Sequence, residues 1–232
     1  MNISGFQKLT LLDYPGKTAS IIFTRDCNLR CPFCHNASLA LSRAEEVYDE
    51  NEVLSYLDKR KKLLDGVTVT GGEPLMHEEL PDLLRKIRAL GYAVKLDTNG
   101  TYPDRLRALL DEGLLDYVAM DIKNSEERYP MTVGLSGFSL MPRVKESIAI
   151  LLSSKIPYEF RTTVVKGLHD EASILGACEL IRGASAYYLQ RFTDSGDLIS
   201  PEGLSAFSPD EMRALLKAAR RLIPTCALRG VD

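Results

Sequence analysis

Three of the chain's five cysteines, Cys27, Cys31 and Cys34, fall within one stretch, "CNLRCPFCHN", and His35 follows the last of them. A disulfide would leave one of these thiols over. Structural zinc takes four closed ligands, and a histidine directly after Cys34 is awkwardly placed to be the fourth. A [4Fe–4S] cluster is normally held by four thiolates. Three would leave one iron without a protein ligand, a vacancy open to a substrate or cofactor that must bind iron directly.

These residues need elements to hold them. β-Branched and apolar runs predict strands over 19–24, 66–70, 92–98, 116–122, 158–165 and 186–192. Several are apolar at nearly every position, as strands buried on both faces are. Helical stripes lie between them: Leu54 and Leu57; Leu80, Leu83, Leu84, Ile87 and Leu90; Leu106, Leu109 and Leu110; Val144, Ile148, Leu151 and Leu152. Ile174, Cys178 and Ile181 form another, and Met212, Leu215, Leu216, Ala219 and Leu222 the last. "SPDE" (208–211) reads as a capping box, and Asp49 with Glu52 as a similar start. Strands alternating with helices imply right-handed crossovers and a parallel sheet. A closed eight-fold barrel needs roughly 250 residues. The 232 residues here therefore predict an α/β fold: a partial, open TIM-type barrel of about six βα units in one domain, 1–232. A doubly wound sheet is the competing arrangement.

The unusual residues sit at or just past the predicted strand ends, where parallel α/β folds carry their ligands. Gly71, Gly72, Glu73 and Pro74 follow the second strand, and Asp97, Thr98, Asn99 and Gly100 end the third. Asp121 and Lys123 end the fourth, Arg161 lies inside the fifth, and Gln190 and Arg191 end the sixth. "TNG" is also a plain turn, and a Gly-Gly pair can simply open a helix. The segments 124–141 and 194–207 are long loops, read either as lids or as ordinary surface. Cys178 falls on an apolar stripe, Cys226 is a lone thiol, and Met120 and Met131 read as packing. His77 and His169 read as solvated helix starts.

Composition narrows the class. The chain is 45% hydrophobic with a net charge of -3, which gives no electrostatic case for a nucleic-acid partner. Its start lacks the apolar run of a signal peptide, and no apolar stretch is long enough for a membrane span. A cytoplasmic protein is expected, where clustered cysteines mean metal or redox chemistry more often than disulfides.

C-x3-C-x2-C with Phe33 before the last cysteine, followed by "GGEP", resembles the radical S-adenosylmethionine (SAM) superfamily, over roughly residues 13–192. The resemblance implies a [4Fe–4S] cluster on Cys27, Cys31 and Cys34, with SAM on the fourth iron. Reductive cleavage of SAM would release a 5′-deoxyadenosyl radical. It places Phe33, His35, Gly71, Gly72, Glu73, Pro74, Asp97, Asn99, Lys123, Arg161 and Gln190 around SAM. Lys123 and Arg161 would face its carboxylate, and Asp97, Thr98 and Asp121 would share a monovalent cation. "CxFCHN", with Asn36, and the lead-in "TLLDYPGKTASIIFTRDC" resemble the activases of glycyl-radical enzymes. Taken whole, the chain resembles the activating proteins of anaerobic ribonucleoside-triphosphate reductase, implying that reductase as partner and an electron donor such as flavodoxin. "LQRFTDSG" lacks the histidine of pyruvate formate-lyase activators, leaving Gln190 in its place. The alternatives are a small-molecule enzyme similar to 7-carboxy-7-deazaguanine synthase and an activase of another glycyl-radical enzyme such as pyruvate formate-lyase.

Overall fold

The structure, a computed structural model, describes residues 1, 3–43, 47–135 and 140–231. The chain divides into two compact units. Met1–Asn28, Ser38–Thr98 and Tyr102–Ala119 form one; Leu29–Ala37, Asn99–Thr101 and Met120–Asp232 form the other.

In the first unit β1 (Ile3–Thr10) pairs antiparallel with β2 (Ala19–Thr24), and β2, β3 (Gly66–Gly71) and β4 (Ala93–Thr98) run parallel in that order. Ile21, Ile22, Val67, Val69, Val94 and Leu96 are buried, as the near-continuous apolar strands require. The short helix α1 (Ala37–Ala40) precedes α2 (Glu50–Lys59), which Asp49 caps by accepting from the backbone of Asn51 and Glu52. After β3 come a 3-10 turn (Pro74–Met76) and α3 (Leu80–Ala89); α4 (Pro103–Asp111) follows β4. On α3 the spaced Leu80, Leu83, Leu84 and Ile87 are the buried face. Gly91, at φ +93°, turns the chain out of α3 where a side chain would be strained.

β5 (Tyr117–Asp121) leads into the second unit, which holds α5 (Tyr129–Thr132), α6 (Met141–Leu152), β6 (Tyr158–Lys166), α7 (Glu171–Leu180), β7 (Tyr187–Arg191), β8 (Ser205–Ala206), α8 (Pro209–Ala219) and β9 (Cys226–Arg229). β6, β7 and β9 run parallel in that order, with β8 antiparallel to the end of β6. Asp170 with Ser173, and Ser208 with Glu211, close capping boxes on α7 and α8.

The sheet is mostly parallel and open, as the sequence predicts. All six predicted strands form, within a residue of their predicted bounds. Three more appear among the described residues. β1 escapes prediction because Gly5, Gln7 and Lys8 interrupt its apolar pattern; Lys8 is exposed there, as suits an edge strand. β8 and β9 are too short to show a period, and β9 turns the lone Cys226 into a buried strand residue.

Candidate active site

In the first unit the end of β3 is pressed against the chain leaving β2. The Gly72 amide donates to the Thr24 carbonyl at 3.0 Å, and the Glu73 amide to the Asp26 carbonyl at 2.7 Å. A Cβ on Gly72 would stand 1.8 Å from the Asp26 carbonyl oxygen, and one on Gly71 2.4 Å from the Thr24 amide nitrogen. Only glycines allow this approach, which seats the root of the cysteine loop one residue before Cys27. Asp26 itself takes a left-handed φ of 64°. Its side chain accepts from Ser42 Oγ, and its amide donates to Leu39. His77 Nε2 lies 2.7 Å from the Arg25 carbonyl, so the ring braces the same root rather than facing solvent.

Glu73 is fully buried and caps its own turn. It accepts from the Leu75 amide at 3.1 Å and from Thr98 Oγ1 at 2.8 Å. Asp97 pairs with the buried Lys95. Glu73, expected near SAM, therefore also ties the chain leaving β3 to the end of β4.

The second unit gathers the other two cysteines with the cationic residues. Cys31 is 6% exposed, Phe33 is buried and Cys34 half-buried. The Cys34 amide donates to the Cys31 carbonyl at 3.1 Å, folding the loop back on itself. Burial pushes the Cys34 thiol's pKa up, and the Asn36 backbone and Lys123 oppose the rise in part. Two other loops grip this one. The Arg30 amide donates to Val133 at 2.9 Å, and the Ser200 amide to Pro32 at 3.0 Å. Segment 194–207 thus has a part in holding the cysteine loop. Of segment 124–141, residues 136–139 lie outside the described residues.

Beside the loop stands a chain of charges. Lys123 Nζ lies 2.9 Å from one oxygen of Asp121, and Arg161 Nε 3.0 Å from the other. Burial alone would raise the Asp121 pKa, but Arg161 and Lys123 outweigh it and hold the carboxyl well below its usual range. Burial would likewise lower Lys123, but Asp121 and Cys31 hold it charged. Within its own unit each of the two aspartates already pairs with cations, Asp97 with Lys95 and Asp121 with Lys123 and Arg161.

His169 overturns its expectation. It is 5% exposed, not solvated. Its Nδ1 accepts from the Val165 amide at 3.1 Å, which leaves Nε2–H to donate to the Lys123 carbonyl at 2.8 Å. Its ring meets Phe33 edge-on at 6.5 Å. Three other residues here gave no sequence signal. Asn124 is fully buried and ties Thr132 to the Leu168 carbonyl. Tyr129 is fully buried with a hydroxyl whose proton no protein acceptor takes. Phe192 packs on His35 at 5.6 Å, and burial lowers that imidazole's pKa.

Asn99 accepts from the Thr101 amide and hydroxyl, forming the turn that "TNG" suggests. Gln190 stands half-buried near the end of β7, in register with Thr163 and Arg229. Arg191 donates to the Phe207 carbonyl.

The fold and these strand ends define an α/β enzyme of the partial-barrel type, with clustered cysteines in no disulfide and a half-buried cationic cluster at the ends of parallel strands. A family model described as the radical SAM superfamily matches residues 21–174, well over half the chain, and the protein belongs to that superfamily. It is therefore a radical SAM enzyme, of a family that uses a [4Fe–4S] cluster and SAM. Over 240 residues it is 28% identical to a Methanocaldococcus jannaschii protein named "Putative glycyl-radical enzyme activating enzyme", covering 99% of this chain and 96% of that one. It is 26% identical to a GTP 3′,8-cyclase of Aquifex aeolicus, covering 90% of this chain and 67% of the cyclase. The fold matches a radical SAM methyltransferase from Sphaerobacter thermophilus with a TM-score of 0.69 at 14% identity, over 95% of this chain and 68% of that one.

The residues present fit these cofactors. None of the three cysteines is in a disulfide. The Gly71–Gly72 crossing leaves no side chain over the root of the cysteine loop. The Tyr129 hydroxyl is a buried donor still lacking an acceptor. No helix is long and apolar enough to cross a membrane.

Proposed function

We propose that the protein is a glycyl-radical-enzyme activase, and that its partner is anaerobic ribonucleoside-triphosphate reductase. The observation that carries this reading is a similarity running almost end to end along a relative named as an activating enzyme. The "CPFCHN" stretch and the "DYPG" lead-in support it. The reading takes residues 1–232 as one radical SAM domain.

Cys27, Cys31 and Cys34 would hold the cluster, and the loaded site supplies one-electron cleavage of SAM to a 5′-deoxyadenosyl radical. The chain's own residues bind and orient. Lys123, kept charged and aimed by Asp121, would meet the SAM carboxylate, with Arg161 behind it. The backbone at Gly71 and Gly72 and the carboxylate of Glu73 would receive the ammonium group, with Pro74 fixing the turn. Phe33, His35, Asp97, Asn99 and Gln190 would complete the walls and exclude water. The electron would come from a flavodoxin-type donor. A cytoplasmic setting fits clustered cysteines that form no disulfide.

Anaerobic incubation of the reduced protein with SAM and the reductase should give a glycyl-radical EPR doublet. Cys31→Ser should abolish both iron retention and SAM cleavage. SAM cleavage by the wild type without any doublet would reject this partner. A second reading, chemistry on a small molecule, is favoured by the similarity to the cyclase; turnover of GTP without a partner protein would establish it.

A further inference from the structure

Tyr129 is the feature that neither the sequence reading nor the family match accounts for. It opens α5, a turn held from three sides. Asn124 Nδ2 donates to Thr132 Oγ1 at 2.8 Å and to the Leu168 carbonyl at 3.1 Å. The Arg30 amide donates to Val133 at the end of the turn. Next to that bond, a Cβ on Gly134 would stand 2.3 Å from the Arg30 carbonyl oxygen, so the turn is locked tightly to the cysteine loop. The ring is thereby fixed, and the residue is 1% exposed.

A buried hydroxyl is nearly always hydrogen-bonded, because leaving it bare forfeits its hydration for nothing. On the donor side Tyr129 breaks this rule: its hydroxyl is buried and no protein acceptor takes its proton, although the Lys123 amide bears on its oxygen. The charged groups that act on it are those of the site itself, Lys123, Cys31 and Asp121. A phenol carries its proton at neutral pH, so it is a donor and not an anion. A rigid donor, with no acceptor for its proton and near Cys31 and the half-buried Lys123 ammonium, is matched to an anionic acceptor that arrives with the cofactors.

We propose that the Tyr129 hydroxyl is a cofactor-binding donor, which hydrogen-bonds the anionic acceptor that the loaded site places beside Cys31 and Lys123. Two acceptors share that chemistry: a sulfide of the cluster and the carboxylate of SAM. The proposal rests on Cys31 being a cluster ligand. Iron content of Cys31→Ser tests that reading separately.

The test is Tyr129→Phe, which removes one oxygen and keeps the ring. In the metal-free protein the variant should melt close to the wild-type temperature, because no protein acceptor for the hydroxyl proton is lost. After anaerobic reconstitution, with wild-type iron and sulfide content, one of two changes should appear. If SAM is the acceptor, its dissociation constant, titrated through the EPR of the reduced cluster, should rise roughly tenfold or more. If a sulfide is the acceptor, the cluster without SAM should reduce at a lower potential, since a bond that favoured the added electron is gone. Wild-type potential together with wild-type SAM affinity would overturn the proposal. So would a metal-free variant that melts several degrees lower, because the hydroxyl would then be satisfied by water or protein before any cofactor binds.

Discussion

Replacing His169 by phenylalanine would keep a ring against Phe33 but strip both hydrogen bonds, leaving the Val165 amide and the Lys123 carbonyl buried and unpaired. Each such orphan costs about 1–3 kcal/mol. His169→Phe should therefore unfold at lower urea, and SAM should bind it more weakly, because the Lys123 backbone would lose its anchor. His169→Gln restores a donor and should recover part of both losses. Burial also lowers the His169 pKa from its ordinary 6.5, with Arg128 adding to the effect and Asp170 opposing it. The sign follows from linkage: the unfolded chain takes up the proton first. Stability contributed by neutral His169 is whole above pH 6.5 and is lost as pH falls from there toward the folded pKa. Melting temperatures from pH 7.5 to 5.5 should fall less steeply in His169→Gln than in the wild type; equal slopes would sink the assignment. His35, also lowered by burial, supplies the part of the slope that remains. Nothing in "GLHD" announces any of this. A histidine at a helix start is ordinarily solvated, and only the packing of β6 against the chain after β5 turns it inward.

At the scale of elements, legibility followed the strength of the local signal. α8 was readable to the residue because "SPDE" carries its own start: Ser208 accepts from Glu211 N, and Glu211 returns a bond to Ser208 N. What the motif could not tell is that Glu211 also pairs with Lys166 of β6 at 2.6 Å, so the cap ties a helix to a strand. Lys166 and then the Ser208 backbone draw the Glu211 pKa down to about 2. Because the folded value is depressed, this stabilisation is complete above the ordinary carboxylate range and disappears as pH falls through about 2. Ser208→Ala should cost about 1 kcal/mol in urea unfolding at pH 7. Glu211→Gln should flatten the acid limb of the stability profile; an acid limb identical to wild type would count against the pairing. The Gly71–Gly72 crossing lies at the other extreme. "GG" is visible, but its purpose, room for the Asp26 carbonyl, depends on strand register between β2 and β3. Arg161 is similar: a charge in an apolar strand announced a partner, and the partner within the chain proved to be Asp121.

For the molecule as a whole, the superfamily was legible because its motif is local and dense, whereas the substrate is not encoded in any short stretch. Similarity runs along nearly all of the activase relative but stops at two thirds of the cyclase. A radical enzyme that acts on a polypeptide must balance its chemistry with its partner: each SAM cleaved yields one 5′-deoxyadenosine and removes one hydrogen atom from one glycine. With reductase present in excess, 5′-deoxyadenosine counted by chromatography should therefore equal glycyl-radical spins counted by EPR, in a ratio near one. Without the reductase, cleavage should be slow and uncoupled, and GTP offered in its place should be recovered unchanged. The ratio is the stringent part. An enzyme whose true substrate is small would still cleave SAM in the presence of the reductase, but its 5′-deoxyadenosine would accumulate with no matching spins, and GTP or another small molecule would be consumed instead.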